Sequence, residues 1–306
     1  MREARALHPF FAVGSVASVK AVWDGPVEVI SGPEEAADVF TRALPCLDIA
    51  RLDALVPGQP TPETAHAALQ ALEVSVGLAR SGSAGALVTA PVGKMQLYGV
   101  GFTHPGQTEF IAERCGVSRQ NAVMMLAGPS LRVVPITIHV ALAQVSEILT
   151  VDLIRARALT TAKGLQRNFG IAQPRLVVTG LNPHAGEQGS IGREEIDIII
   201  PAVESLQAEG LNITGPHSAD GLFHARARET YDAALCMYHD QALIPVKTLY
   251  FDDGVNMTLG LPIIRTSPDH GTAFGIAGRN EANPGAMIAA IRMAAEAAHH
   301  RVAAVA

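Results

Sequence analysis

The chain lacks most of the signatures that assign a protein to a class at a glance. Its 306 residues hold three cysteines, Cys46, Cys115 and Cys236, widely separated and without a CxxC pair. That pattern argues against a disulfide framework or a thiolate zinc cluster and suits reduced thiols in a cytoplasmic protein. No stretch approaches the ~20 apolar residues that a membrane span needs. The opening, MREARALHPFFAVG, has neither a long apolar run nor a cleavage pattern, so it does not read as a secretory signal. Charge is not strongly biased: a formal net charge of −6 speaks against nucleic acid or a membrane surface as partner. Internal repeats, low-complexity tracts, linkers, an HExxH pair and a convincing GxGxxG fingerprint are all missing.

What remains is a chain that is 48% hydrophobic and 17% charged, enough to bury a large core in two domains or lobes. Strand-like and helix-like stretches alternate. Residues 10–13 read as a strand entering Gly14, 17–22 as a short helix and 27–30 as the next strand. Thr61-Pro62-Glu63 has the order of an N-cap, a first-turn proline and a first-turn acid, which predicts a helix running to about Arg80. A buried strand is expected at 85–90, a helix at 108–115 closing at Gly116, and strands at 122–126 and 132–138. The segment 151–169 reads as a long helix stopped by Gly170, 175–179 as a strand, and 194–209 as a helix that Pro201 should kink or split. Residues 233–238 read as a buried strand, 247–251 as another strand, and 287–299 as an alanine-rich terminal helix. Such alternation predicts an α/β fold with a largely parallel sheet.

Three of these strand-like runs end near a histidine: His139, His184 and His239. In α/β sheets ligands bind beyond the carboxyl ends of parallel strands. If the three strands are neighbours, their imidazoles converge on one edge and suit a catalytic divalent transition ion. Chance placement of three among 11 histidines is the competing explanation. A second group, Lys247, Asn256 and Arg265, combines a point charge, an amide and a planar fork of donors, which fits an anionic group such as phosphate. Surface salt bridging is the ordinary alternative, but the apolar neighbours LYF and LPII make unpaired charge costly there.

The blocks TAPVGK (89–94), HPGQTEF (104–110), GLNPHAGEQGSIGREE (180–195), MYHDQALIPVK (237–247) and VNMTLGLPIIRTSPDHGTA (255–273) occur in this order. Together they resemble the 4-hydroxythreonine-4-phosphate dehydrogenase family, PdxA, of pyridoxal phosphate biosynthesis, from Phe10 onward. The resemblance implies one catalytic unit over residues 1–306, made of two interleaved α/β lobes like those of isocitrate and isopropylmalate dehydrogenases. It implies an active site in the cleft between lobes, shared across a homodimer. Zinc, magnesium or cobalt would be held by His139, His184 and His239, the last from the partner subunit. Gln107, Thr108, Lys247, Asn256 and Arg265 match substrate-binding positions. HGTAFGIAG with Ala282-Asn283-Pro284 looks like the nucleotide loop of the isopropylmalate enzymes, which implies that His270, Gly271, Thr272 and Asn283 hold NAD, or alternatively NADP.

The implied reaction is oxidation of 4-phosphooxy-L-threonine at its secondary alcohol, then decarboxylation to 3-amino-2-oxopropyl phosphate. Lys247 and Asp220 are the implied catalytic groups, Asp220 as a metal-shell or proton-transfer carboxylate with an ordinary loop aspartate as its alternative. The pattern departs from the family in three places. A strand and a GDPAGIGPE-like loop that usually precede PFFAVG are not in the sequence, so low activity or stability is expected of the form beginning at Met1. Gln107 stands where the family usually has histidine, and Gly275 where aspartate is expected, which would weaken NAD binding. These departures keep two alternatives open: a related dehydrogenase of 4-phosphothreonate or a dihydrodiol, and an inactive homologue with a binding role.

Overall fold

The computed structural model describes residues 8–52 and 55–304. In chain order its strands are β1 (Ala12–Gly14), β2 (Val27–Val29), β3 (Leu44–Asp48), β4 (Leu87–Val88), β5 (Val123–Gly128), β6 (Leu131–Pro135), β7 (Leu176–Thr179), β8 (Ile213–His217), β9 (Ala233–Cys236), β10 (Val255–Leu259) and β11 (Arg265–Pro268). The chain divides into two compact units, each assembled from two chain segments: Met1–Gly116 with Pro262–Ala295, and Val117–Leu261 with Glu296–Ala306.

The first unit contains a parallel three-stranded sheet, β1-β3-β2, and a parallel pair in which Arg265 and Thr266 of β11 face Leu87 and Val88 of β4. Its longest helix within one segment, Pro62–Ser81, begins as the sequence predicts. Thr61 accepts from the Thr64 amide, the Thr64 hydroxyl accepts from the Thr61 amide, Pro62 occupies the first turn, and Gly82 ends the helix in the left-handed region. Leu72 and Val76, four residues apart, are buried on one face of it. Helix Gln107–Arg114 buries Phe110, Ile111 and Ala112, leaving its first turn for other work.

In the second unit the strand order is β10-β5-β6-β9-β7-β8. β6, β9, β7 and β8 run parallel, while β5 lies antiparallel to both β6 and β10. The strands followed by His139, His239 and His184 are therefore adjacent parallel neighbours. Leu126, Val133, Ala234 and Cys236 form the core against Ala242 and Val246, and each large aliphatic side chain buried this way contributes ~1.5–3 kcal/mol. Helix Val151–Phe169 has the predicted limits, with a Thr150 cap and a left-handed Gly170.

Three local expectations change. Strand β6 ends at Pro135, not at 138, so its histidine lies on the following loop. The helix at 194–209 is split, as Pro201 suggests, but by a π turn over Glu195–Ile199 followed by an α-helix Ile200–Ala208 with proline in its first turn. Residues 247–251 do not form a strand: His239–Leu249 is one helix, with Phe251 in the turn beyond it. The short run VKTLYF has the composition of a strand, but Ala242 and Val246 bury at a spacing of four, and that helical period prevails. Cys46 and Cys236 are buried and Cys115 partly so, all three as free thiols.

Candidate active site

The backbone ladder between β6 and β9 runs past the ends of both strands. The Ile136 amide donates to Cys236 at 2.7 Å and the Thr137 amide to Met237 at 3.3 Å, and the Thr137 hydroxyl adds a 2.8 Å bond to the same Met237 carbonyl. His139 and His239 each lie two residues beyond that last rung, and their ring centroids are 5.6 Å apart within one chain. Asp240 accepts a 2.7 Å bond from Nδ1 of His239, which leaves Nε2 with its lone pair directed elsewhere. His139 is held at φ 53, a left-handed conformation that non-glycine residues adopt at a cost.

His184 belongs to a different arrangement. Residues 184–188 all adopt left-handed dihedrals, with φ from 42 to 76, although only Gly186 among them is glycine. Four non-glycine residues in that region cost roughly 1–2 kcal/mol each. The turn is anchored by Glu195, which is 2% exposed. Its carboxylate accepts from the Asn182 amide at 2.7 Å and from Asn182 Nδ2 at 2.9 Å, while Glu194 accepts from the same Nδ2 at 2.8 Å. A side chain at Gly180 would come within 2.8 Å of the Ala185 backbone, so the turn closes only over glycine. Asp220 accepts a 2.5 Å bond from the Ser218 hydroxyl, which holds its carboxyl below the usual range; the charge of nearby His184 acts in the same direction. The second unit thus contains His139 with His239, and His184 with Asp220. Among its described residues no three histidine, cysteine or acidic side chains form a single metal-holding cluster.

Lys247 and Asn256 lie in the same unit. Lys247 sits in the last turn of helix His239–Leu249, its ammonium 5.8 Å from the centre of the Phe251 ring. Asn256 faces Leu126 across β10 and β5, and its Oδ1 is buried with no hydrogen-bond partner. Buried polar atoms in folded proteins are almost always paired, so such an acceptor implies a ligand or water.

In the first unit, Arg265 on β11 is 4% exposed. It donates to the Thr89 hydroxyl at 2.9 Å and to the Thr108 hydroxyl at 3.4 Å. Burial pushes its guanidinium down to about 10, with the charge of Glu109 opposing the shift. Gln107, at the start of its helix, donates through Nε2 to the Ala90 carbonyl at 3.0 Å, while its Oε1 is buried and unpartnered. Gln107, Thr108 and Arg265 are thus brought together, as the sequence motifs require. Thr89 joins them without having been singled out; its place just past β4, at the start of the TAPVGK block, was the available signal.

The 270–283 segment is exposed over most of its length. His270 Nδ1 donates to the Gly271 carbonyl at 2.9 Å, and Asn283 accepts from the Gly285 amide at 2.9 Å, so Asn283 also fastens the start of helix Gly285–Ala303. Thr272 and Phe274 line a cavity of about 300 Å³ with Val22, Val56 and Leu97. Gly275 has an ordinary φ, and an added Cβ there would meet open space. Glu195 was not marked as functional in the sequence, because it acts on the chain that carries His184 rather than on a ligand.

Comparison with known proteins agrees with these motifs. The sequence model of the pyridoxal phosphate biosynthetic protein PdxA matches residues 8–294. A 4-hydroxythreonine-4-phosphate dehydrogenase of Zymomonas mobilis is 59% identical over 302 residues, covering 99% of this chain and 90% of the relative. That of Erythrobacter litoralis is 54% identical, with coverage of 98% and 91%. The crystal structure of the Klebsiella pneumoniae 4-hydroxythreonine-4-phosphate dehydrogenase superposes with a TM-score of 0.85 at 35% identity, covering 94% of this chain and 88% of that one. With its fold matched and its motifs in order, the chain belongs to the PdxA family of pyridoxal phosphate biosynthetic proteins.

Proposed function

We propose that this protein oxidises 4-phosphooxy-L-threonine at its secondary alcohol, using NAD and a divalent ion, with decarboxylation to 3-amino-2-oxopropyl phosphate in vitamin B6 synthesis. The observation that carries the reading is that the strands followed by His139, His239 and His184 are adjacent parallel neighbours, with Asp240 fixing the tautomer of His239. Imidazole nitrogens presented at strand ends suit a transition ion such as zinc or cobalt. His184 is the third ligand, and the set is completed in a cytoplasmic homodimer whose subunits share the site. A bound ion supplies Lewis acidity toward an alcohol, and a nicotinamide supplies the hydride acceptor.

The chain's own residues account for recognition. Arg265, buried and hydrogen-bonded to hydroxyls, offers a guanidinium whose desolvation an anionic phosphate or carboxylate offsets. Gln107 Oε1 and Asn256 Oδ1 are acceptors positioned for ligand hydroxyl or ammonium groups. Lys247 adds a second cation, Asp220 a carboxylate for proton transfer beside His184, and Thr108 a hydroxyl. The segment with His270, Gly271, Thr272 and Asn283 binds the nucleotide. No helix among the described residues is long and apolar enough to cross a membrane.

The test is formation of reduced cofactor from NAD, 4-phosphooxy-L-threonine and a divalent ion, repeated with chelator and with NADP. Rapid, chelator-sensitive absorbance growth is expected. Faster turnover of 4-phosphothreonate would reassign the substrate, and silence with every substrate while cobalt still binds would favour a binding role.

A further inference from the structure

The last β7–β9 pair in register is Val178 with Leu235. Beyond it, where β6 and β9 continue backbone to backbone, β7 and β9 are joined by a side chain. Gln241, in the first turn of helix His239–Leu249, accepts at Oε1 from the Met237 amide at 2.7 Å and from the Thr179 hydroxyl at 2.6 Å. Its Nε2 donates to the Gly180 carbonyl at 2.8 Å. One carboxamide therefore spans the two strand ends, Thr179-Gly180 on one side and Met237 on the other. His239 lies two residues past Met237, and the loop of His184 starts at Gly180. We propose that Gln241 is a positioning residue for the metal ligands: its amide is a side-chain rung that sets the spacing between the loops carrying His184 and His239.

The amide suits this task because it both donates and accepts in one plane. A carboxylate of the same shape keeps the two acceptor contacts but sets an oxygen against the Gly180 carbonyl. A methionine fills the space and makes none of the three bonds. In either variant the wedge changes while both imidazoles remain. The inference rests on the metal reading above and applies whichever subunit supplies each imidazole, since both copies carry the rung.

The experiment titrates the full-length protein with cobalt(II) alone and follows its visible ligand-field absorption, with Gln241→Glu, Gln241→Met, Thr179→Val and His139→Ala in parallel. Replacing a group that orients metal ligands typically weakens metal binding about 10- to 100-fold. Gln241→Glu and Gln241→Met are expected to show that loss with altered band intensity, a signature that general destabilisation does not produce in protein that remains folded by circular dichroism. Thr179→Val, which removes one contact and preserves volume, should weaken binding a few-fold and decides the matter if the other two do not fold. Wild-type affinity and spectrum in the folded variants overturn the proposal while His139→Ala, silent, upholds the metal reading. A wild-type protein that gives no cobalt spectrum overturns both.

Discussion

The two units hold the side chains proposed to bind in opposite ways. In the first, Arg265 is sealed into the fold between Thr89 and Thr108, and its cost is desolvation of a charge. In the second, His139 and His184 are exposed on loops, and their cost is left-handed backbone. The first arrangement is rigid because packing surrounds the side chain. In the second, hydrogen bonds tie down the chain on which the side chains stand, from Thr137 to Met237 before His139, and from Gln241 to Gly180 and from Asn182 to Glu195 before His184. A site need not be buried to be positioned, provided its backbone is tied down.

That contrast can be broken at its strongest point with His139→Gly. Glycine accepts φ 53 freely, so the metal-free protein is expected to gain about 1 kcal/mol of stability. Metal affinity should fall beyond the roughly hundredfold limit of an outer-shell change. Thermal denaturation and cobalt titration read both, and a loss of stability would show that the strain is not real. Next in size, Arg265→Met should weaken substrate binding by about 2–5 kcal/mol, as removal of a buried partner does. Folding stability is expected to be unchanged or raised by up to ~4 kcal/mol, since an apolar isostere carries no desolvation cost. A destabilised protein with unaltered substrate affinity would reverse that assignment.

Two smaller changes sharpen the comparison within the first unit. Gln107→Met removes the bond to Ala90 and the unpartnered Oε1, and a KM higher by about tenfold is expected from one lost hydrogen bond. An unchanged KM would return Gln107 to a purely structural role. Gly275→Asp has room and an ordinary φ, so it should tighten NAD binding about threefold to tenfold with stability within ~0.5 kcal/mol. Calorimetry that finds the same dissociation constant would dismiss the missing aspartate as a cause of weaker binding.

Much of this is legible in the sequence. The Thr61-Pro62 start, the Gly170 stop and the histidines beyond strand-like runs follow from local rules, in which a residue's conformational preference decides its position, whereas the adjacency of those strands was only a condition. The helix through Lys247 was not, since a short apolar segment has no period long enough to distinguish strand from helix. β3, β8, β10 and β11 also escaped notice because Pro45, Pro216, Asn256 and Arg265 break the apolar pattern that marks a strand. The Gln241 amide joins the ends of two strands that are distant in sequence. Such long-range hydrogen bonding leaves no periodic trace.

The π turn at Glu195–Ile199 has a consequence for how the enzyme tolerates insertions and deletions. Removing any one residue between 196 and 199 would let the helix close with ordinary spacing, an improvement by helical standards. The wide turn already absorbs that extra residue, so the repair would leave Glu195 facing Asn182 with little rotation. The tether of the His184 loop is therefore insured against losing one residue there, whereas the same loss within the regular helix Ile200–Ala208 would turn everything before it by about 100° and release a loop at the site.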